Sequence, residues 1–167
     1  MIPGDDGEAL VVLTERVDRG GHHSGEVSFP GGKAEATDEN ATSTALREAT
    51  EEVGLDAAAA GVRIIGQLEP FWIPVSDFRV TPVLAVADRR PVFVASADEV
   101  ARIVEAPVDA FLAGAHIEIV ERTVRDWPLR YGGYRIDGLH VWGATARILG
   151  QLGAVIGAAE ERSRART

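Results

Sequence analysis

The sequence predicts an α/β protein, an α/β/α sandwich in which a mixed sheet lies between helices. Three observations predict it. Short aliphatic and β-branched runs flank a helical stretch whose apolar face is small, made of Ala41, Ala45, Ala49 and Val53. A second helical stretch closes the chain, and its Ile148, Leu149, Leu152, Val155 and Ile156 form a core-facing stripe. No internal repeat, linker or low-complexity tract divides the 167 residues, which make one domain large enough to bury a core.

Taken in order, Ala9 to Glu15 reads as a buried strand, and Glu26 to Phe29 as a short strand before the turn Pro30-Gly31-Gly32. The helix follows, with Thr37 or Asp38 as the expected N-cap and Gly54 just past its end. Val62 to Leu68 and Arg79 to Ala87 read as strands, with Pro82 marking an edge or a bulge in the second. Asp98 to Val104 fits a strand or a helix. Pro107 to Ala113 reads as a short helix with proline at its start, and Ile117 to Val124 alternates like a strand. Tyr131 to Trp142 is expected to form a hairpin around Asp137-Gly138, before a terminal helix from Gly143 to Arg162.

With 46% apolar and 26% charged residues, the composition is that of a globular rather than a disordered chain. No apolar run is long enough to cross a bilayer, and Met1-Ile2-Pro3-Gly4-Asp5-Asp6 is no signal peptide, so no membrane partner and a cytoplasmic location are expected. The absence of cysteine excludes disulfides and thiolate metal sites. A formal charge of −9 disfavours nucleic acid as a partner, because phosphate backbones are held by Lys and Arg. It leaves room for a small phosphate-bearing substrate, since cations bound by an acidic cluster reverse its local sign.

Such a cluster is present in Arg47-Glu48-Ala49-Thr50-Glu51-Glu52-Val53-Gly54-Leu55. On a helix Glu48 falls on one face with Glu51 and Glu52, three and four residues on. Three like charges so close repel unless a cation neutralises them, and an oxygen-only donor set selects Mg²⁺ or Mn²⁺. Arg47 is placed to pair with one carboxylate and fix its direction. Gly31 and Gly32, without side chains, let backbone amides approach a phosphate or a metal-bound water.

Together Gly32, Glu39, Arg47, Glu48, Glu51, Glu52, Gly54 and Leu55 resemble the signature of the Nudix hydrolases. Six residues separate Gly32 from Glu39, one more than that family's usual spacing, so either the loop is longer or Asp38 takes the first acidic position. Leu13-Thr14-Glu15-Arg16 and His23-Ser24-Gly25-Glu26-Val27-Ser28-Phe29-Pro30-Gly31-Gly32 look like the extra motif of the coenzyme A diphosphatase branch. Arg79-Val80-Thr81-Pro82-Val83, Glu99-Val100 with Pro107, and Trp142-Gly143-Ala144-Thr145-Ala146-Arg147 are also similar to that branch. Val17 and Gly21 depart from it, standing where the branch usually has a small residue and an arginine. The branch also tends to begin with a strand ahead of Ala9, of which only Met1 to Pro3 remain.

The resemblance implies a Nudix-type fold and metal-dependent cleavage of a nucleoside diphosphate derivative, namely coenzyme A or its thioesters, into 3′,5′-ADP and 4′-phosphopantetheine. ADP-ribose or a dinucleotide is the alternative substrate. It implies Glu48, Glu51 and Glu52 as metal ligands, Arg47 as their positioning partner, and Glu99 as an extra acid from outside the box. It further implies that substrate meets Arg16, His23, Ser24, Phe29, Gly31, Gly32 and Lys33. Arg19 and His22 lie on the same loop as candidate phosphate contacts. Among the remaining rings, Trp72, Trp127 and Tyr134 are candidates to stack on adenine but fit core packing better, and His116 and His140 read as structural.

Overall fold

The computed structural model describes residues 1–18, 26–74, 76–124 and 127–166. In chain order the elements are β1 (Ile2–Pro3), β2 (Ala9–Arg16), β3 (Val27–Ser28), α1 (Ala41–Val53), β4 (Val62–Gln67), β5 (Phe71–Ile73), β6 (Phe78–Val80), β7 (Val83–Ala87), β8 (Val100–Pro107), a 3₁₀ turn (Val108–Phe111), β9 (Glu118–Val124), β10 (Trp127–Ile136), β11 (Leu139–Val141) and α2 (Gly143–Arg164).

β2 organises the sheet that carries the site. β8 runs antiparallel along one edge, from Leu10 opposite Pro107 to Arg16 opposite Val100. β1 and β3 share the other edge, opposite Ala9–Leu10 and Thr14–Glu15. β7, itself paired with β4, joins through the first residue: the Met1 ammonium donates to the Ala85 carbonyl (2.6 Å), and the Ala87 N–H donates to the Met1 carbonyl (3.0 Å). Those two bonds straddle one residue of β7, the pattern of a parallel bridge, and give the sheet its mixed character. β5 with β6, and β9 with β10 and β11, make separate antiparallel ribbons.

α1 packs against β7 and β8, and α2 against β3, β10 and the 3₁₀ turn. This is the α/β architecture that the alternation of patterns predicts. Val11, Leu13, Val104, Ala106, Val141, Leu149 and Leu152 are buried at the centre, with Phe111 edge-on to Tyr134 at 5.1 Å. The Thr145 hydroxyl donates to the Val27 carbonyl (2.9 Å), tying α2 to the short strand that leads into the glycine turn.

Several boundaries differ from the sequence reading. α1 begins later than expected because Asn40, not Thr37 or Asp38, is the N-cap. Its Oδ1 accepts from Thr42 and Ser43, and the Ser43 hydroxyl accepts from the Asn40 N–H. The run Arg79 to Ala87 is two strands, broken where the Pro82 carbonyl turns to accept the Leu68 N–H (3.0 Å). Asp98 to Val104 resolves into a turn followed by β8, and the expected short helix is the 3₁₀ turn after Pro107. The hairpin forms at Asp137 (φ 48°) and Gly138 (φ 79°), as two positive-φ residues at its tip require.

Candidate active site

The site is assembled by the glycine turn, α1 and the segment before β8. α1 ends at Gly54 in the left-handed region (φ 66°), and its N–H closes the last turn onto the Thr50 carbonyl (3.0 Å). The carbonyls of Glu52 and Val53 accept the N–H groups of Ser96 (2.9 Å) and Val94 (3.0 Å). These bonds satisfy acceptors that a helix terminus otherwise leaves unpaired, and they hold residues 94–96 on the end of α1. The Glu99 carbonyl accepts the Val17 N–H (3.0 Å), so the end of β2 and the turn at Glu99 are fastened together. Arg16 and Glu99 consequently both act electrostatically on Glu52.

Arg47 is the hub of one half of the site. Its guanidinium grips Asp38 through Nε to Oδ1 (3.2 Å) and Nη2 to Oδ2 (3.0 Å). Nη1 reaches Glu51 Oε2 (2.9 Å), and Nη2 also reaches Glu48 Oε1 and the Lys33 carbonyl, both at 3.0 Å. The sequence leads one to expect a single carboxylate partner; there are three. Asp38, rather than the exposed Glu39, takes the first acidic position, because a local turn presents it inward: Glu35 donates its N–H to Asp38 Oδ2 (2.9 Å) and accepts the Asp38 N–H (3.0 Å). The Arg47 hydrogen bonds hold the Asp38 carboxyl down to about 2, and the same pairing raises the Arg47 pKa.

Glu52 stands in the opposite condition. It is 4% exposed, burial pushes its carboxyl up to about 7, and the nearby Glu48 and Glu99 charges add to the rise. The Gly31 N–H and the positive charge of Arg16 pull the other way. Oε2 of Glu52 is buried with no hydrogen-bond partner. Gly32 presses directly on Glu48, whose carboxylate a Cβ there would overlap, so any larger residue would force that carboxylate to move.

The three box carboxylates do not meet at one point, as sequence spacing alone suggests. Among the described residues no three acidic or imidazole groups are gathered as an ion cage, because Arg47 draws Glu51 and one oxygen of Glu48 to itself. The donor chemistry nevertheless fits a hard divalent cation: Glu52 offers a buried orphan oxygen, Glu48 lies within its electrostatic reach, and all the donors are oxygens.

Of the other expected contacts, Lys33 is exposed and lends its carbonyl to Arg47, and Gly31 spends its amide on Glu52 rather than leaving it for substrate. Phe29 is half-buried, packed on the core and on the wall of a large cavity. His23 and Ser24, with Arg19, Gly21 and His22, lie outside the described residues. Tyr134 is a core residue as expected, whereas Trp72 is not: 57% exposed, its indole N–H donates to Asp77 Oδ1 (3.0 Å). Across the β5–β6 ladder Trp72 stands opposite Arg79, also exposed. The contribution of Asp38 is legible in the sequence only as an acidic pair with Glu39; the Glu35 turn that tells them apart is a matter of backbone conformation.

Residues 1–119 match the NUDIX domain. Over 158 residues the chain is 37% identical to Nudix hydrolase 15, mitochondrial, of Arabidopsis thaliana, an alignment covering 89% of this chain and 53% of that protein. Over 147 residues it is 34% identical to the Nudix hydrolase NudL of Yersinia pestis (strain Pestoides F), covering 87% and 71% respectively. A MutT protein from Methanosarcina mazei Go1 superposes with a TM-score of 0.48 at 21% identity, over 66% of this chain and 75% of that one. The chain belongs to the Nudix family. It spans about half the length of the plant relatives, which carry organelle names: mitochondrial, as above, and chloroplastic for Nudix hydrolase 22. No helix among the described residues is long and apolar enough to cross a membrane.

Proposed function

We propose that the chain is a cytoplasmic Nudix diphosphatase that hydrolyses a nucleoside diphosphate derivative, with coenzyme A or its thioesters as substrate and Mg²⁺ or Mn²⁺ held by Glu48, Glu51 and Glu52. The observation that carries this reading is the buried, unpartnered Oε2 of Glu52 beside Glu48 and beneath the glycine turn. A carboxylate placed there is costly to ionise without a cation, and such placement clusters at functional sites.

Bound, the cation would neutralise the diphosphate and acidify an attacking water. The rest falls to the chain's own groups. Arg47 fixes Glu48 and Glu51 in direction, a positioning role that leaves it off the substrate. A box carboxylate or Glu99 takes the proton of the attacking water. Water adds to one phosphorus, the P–O bond of the bridging oxygen breaks, and the second phosphate leaves with that oxygen. Arg16 at the end of β2 and Lys33 after the turn supply positive charge for the substrate's phosphates. Resemblance along Leu13 to Gly32 favours coenzyme A, while Val17 and Gly21 favour a second reading, ADP-ribose or a dinucleotide.

The test is kcat/KM with Mg²⁺ for coenzyme A, dephospho-coenzyme A and ADP-ribose in one buffer. The expected result is cleavage of coenzyme A with a modest preference over the dephospho form, because Gly21 replaces a cation that would read the 3′-phosphate. Efficient cleavage of ADP-ribose with none of coenzyme A moves the chain to the second reading, and hydrolysis of nothing rejects both.

A further inference from the structure

The β5–β6 hairpin lies at the same end of the sheet as the glycine turn. β1 runs antiparallel to β2, and β7 follows β1 in parallel through the two Met1 bonds, so β7 starts, at Val83, level with Thr14 of β2. That is the end where Thr14 and Glu15 pair with β3, which leads into Pro30-Gly31-Gly32. Only Thr81 and Pro82 separate β6 from Val83. Phe78, Arg79 and Val80 of β6 accordingly line the same large cavity as Gly31, Gly32 and Lys33.

The two faces of the hairpin differ. Phe71 is opposite Val80, Trp72 opposite Arg79 and Ile73 opposite Phe78, so Trp72 and Arg79 share one face and four apolar residues share the other. The apolar face is anchored on α2: Phe71 is buried with the Arg147 guanidinium 4.3 Å from its ring centre, and the Glu69 carbonyl accepts from Gln151 (3.4 Å). Trp72 and Arg79 are both exposed. A lone exposed indole is ordinary, but this one is held in place. Its N–H donates to Asp77 Oδ1 (3.0 Å), and Asp77 takes the left-handed backbone (φ 55°) at the turn that presents that carboxylate. Beside it, the Arg79 guanidinium has no carboxylate or hydrogen-bond partner among the described residues, whereas Arg47, Arg63, Arg90, Arg102 and Arg135 are all paired.

We propose, resting on the reading of the chain as a nucleoside diphosphatase, that Trp72 and Arg79 form the subsite for the nucleoside end of the substrate. The base stacks on the open face of the Trp72 indole, and the Arg79 guanidinium pairs with a phosphate on the ribose. An indole whose direction is already fixed offers its π surface at little cost in entropy, and a guanidinium matches phosphate as a planar fork. With the diphosphate at the glycine turn, the hairpin is the neighbouring element that the nucleoside can reach. Arg79 thus supplies from β6 a cation for the 3′-phosphate of coenzyme A in a chain that has Gly21 on the loop before the turn.

The experiment follows the indole N–H resonance of Trp72 in the isotope-labelled full chain with Mg²⁺ as 3′,5′-ADP or 5′-AMP is added, the resonance being identified by its loss in Trp72→Leu. Both nucleotides are expected to shift it, and 3′,5′-ADP should bind at least about fivefold more tightly. By calorimetry, Trp72→Leu should weaken both nucleotides at least about fivefold, and Trp72→Phe, which keeps a ring, should recover most of that loss. Arg79→Gln should bring 3′,5′-ADP down to the affinity of 5′-AMP and leave 5′-AMP unchanged. Binding by Trp72→Leu equal to the parent overturns the proposal, as does an equal loss of both nucleotides in Arg79→Gln, or a resonance that neither nucleotide moves. A chain that binds both nucleotides as expected but cleaves no diphosphate keeps the subsite and loses the hydrolase reading. One that cleaves coenzyme A while the variants bind like the parent keeps that reading and loses the subsite.

Discussion

Arg47 and Glu52 lie five positions apart on one helix and meet opposite electrostatic conditions. Around Arg47 each carboxylate finds a donor: Asp38, Glu48 and Glu51 share one guanidinium, and the Asp38 carboxyl is held down to about 2. Around Glu52 the balance fails, with an oxygen buried and unpaired and the carboxyl pushed up to about 7. A satisfied network locks geometry, whereas an unsatisfied buried carboxylate represents free energy recoverable only when something binds it. In the proposed function the satisfied half shapes the site and Glu52 belongs to the half that acts.

Breaking the acting half should have the largest effect. Glu52→Gln keeps shape and removes the charge, so kcat for whichever diphosphate the chain cleaves should fall at least about a hundredfold. A loss confined to KM would place Glu52 outside the chemistry. Breaking the shaping half should cost less and read differently. Arg47→Lys should lower kcat by about tenfold with KM nearly unchanged, since a point charge cannot hold three carboxylates as a planar fork does. Asp38→Asn should lower Tm while Glu39→Gln leaves it alone; the reverse order would return Glu39 to the first acidic position.

The two halves should also part with pH. Without added metal, the raised Glu52 pKa means the folded state favours its proton. The associated stability is full below the ordinary value of 4.5 and is lost as pH rises through about 7. Asp38 has the opposite sign: its contribution is present above the ordinary value of 3.8 and is lost as pH falls toward about 2. Metal-free Tm should therefore decline between pH 4.5 and 7.5 in the parent chain and flatten in Glu52→Gln. An unchanged slope in the variant would assign that decline elsewhere. Smallest of all, Asn40→Ala should cost about 1 kcal/mol through loss of the N-cap, measured by denaturant midpoint, with kcat intact.

The parts legible from sequence were those set by local rules. Glycine at positions 32 and 54 and the apolar spacing of α1 fix the helix and its turn, so that stretch could be read directly, whereas the short strand Phe71–Ile73 was not seen. What eluded the sequence depended on side-chain and backbone directions, both within short turns and between distant segments. Asp38 and Glu39 are adjacent and chemically alike, and only the Glu35 turn decides which one faces Arg47. The sharing of Arg47 among three acids, which pulls Glu51 away from Glu52, follows from side-chain directions that spacing does not carry. Glu99 comes near Glu52 through its bond to Val17 across the sheet. Trp72 looked like core because indoles usually are, yet it lies on a three-residue strand whose other face buries Phe71.

The most direct test is a Mn²⁺ titration at pH 6, followed calorimetrically in two buffers of different ionisation enthalpy, on the parent chain and on Glu52→Gln. Glu52, pushed up to about 7, carries a proton at that pH and must release it to hold a cation. The parent chain should bind Mn²⁺ with release of a proton, and the variant should bind more weakly without that release. Equal affinity and equal proton release in the two proteins, or no binding by either, would contradict the assignment of Glu52 to the metal.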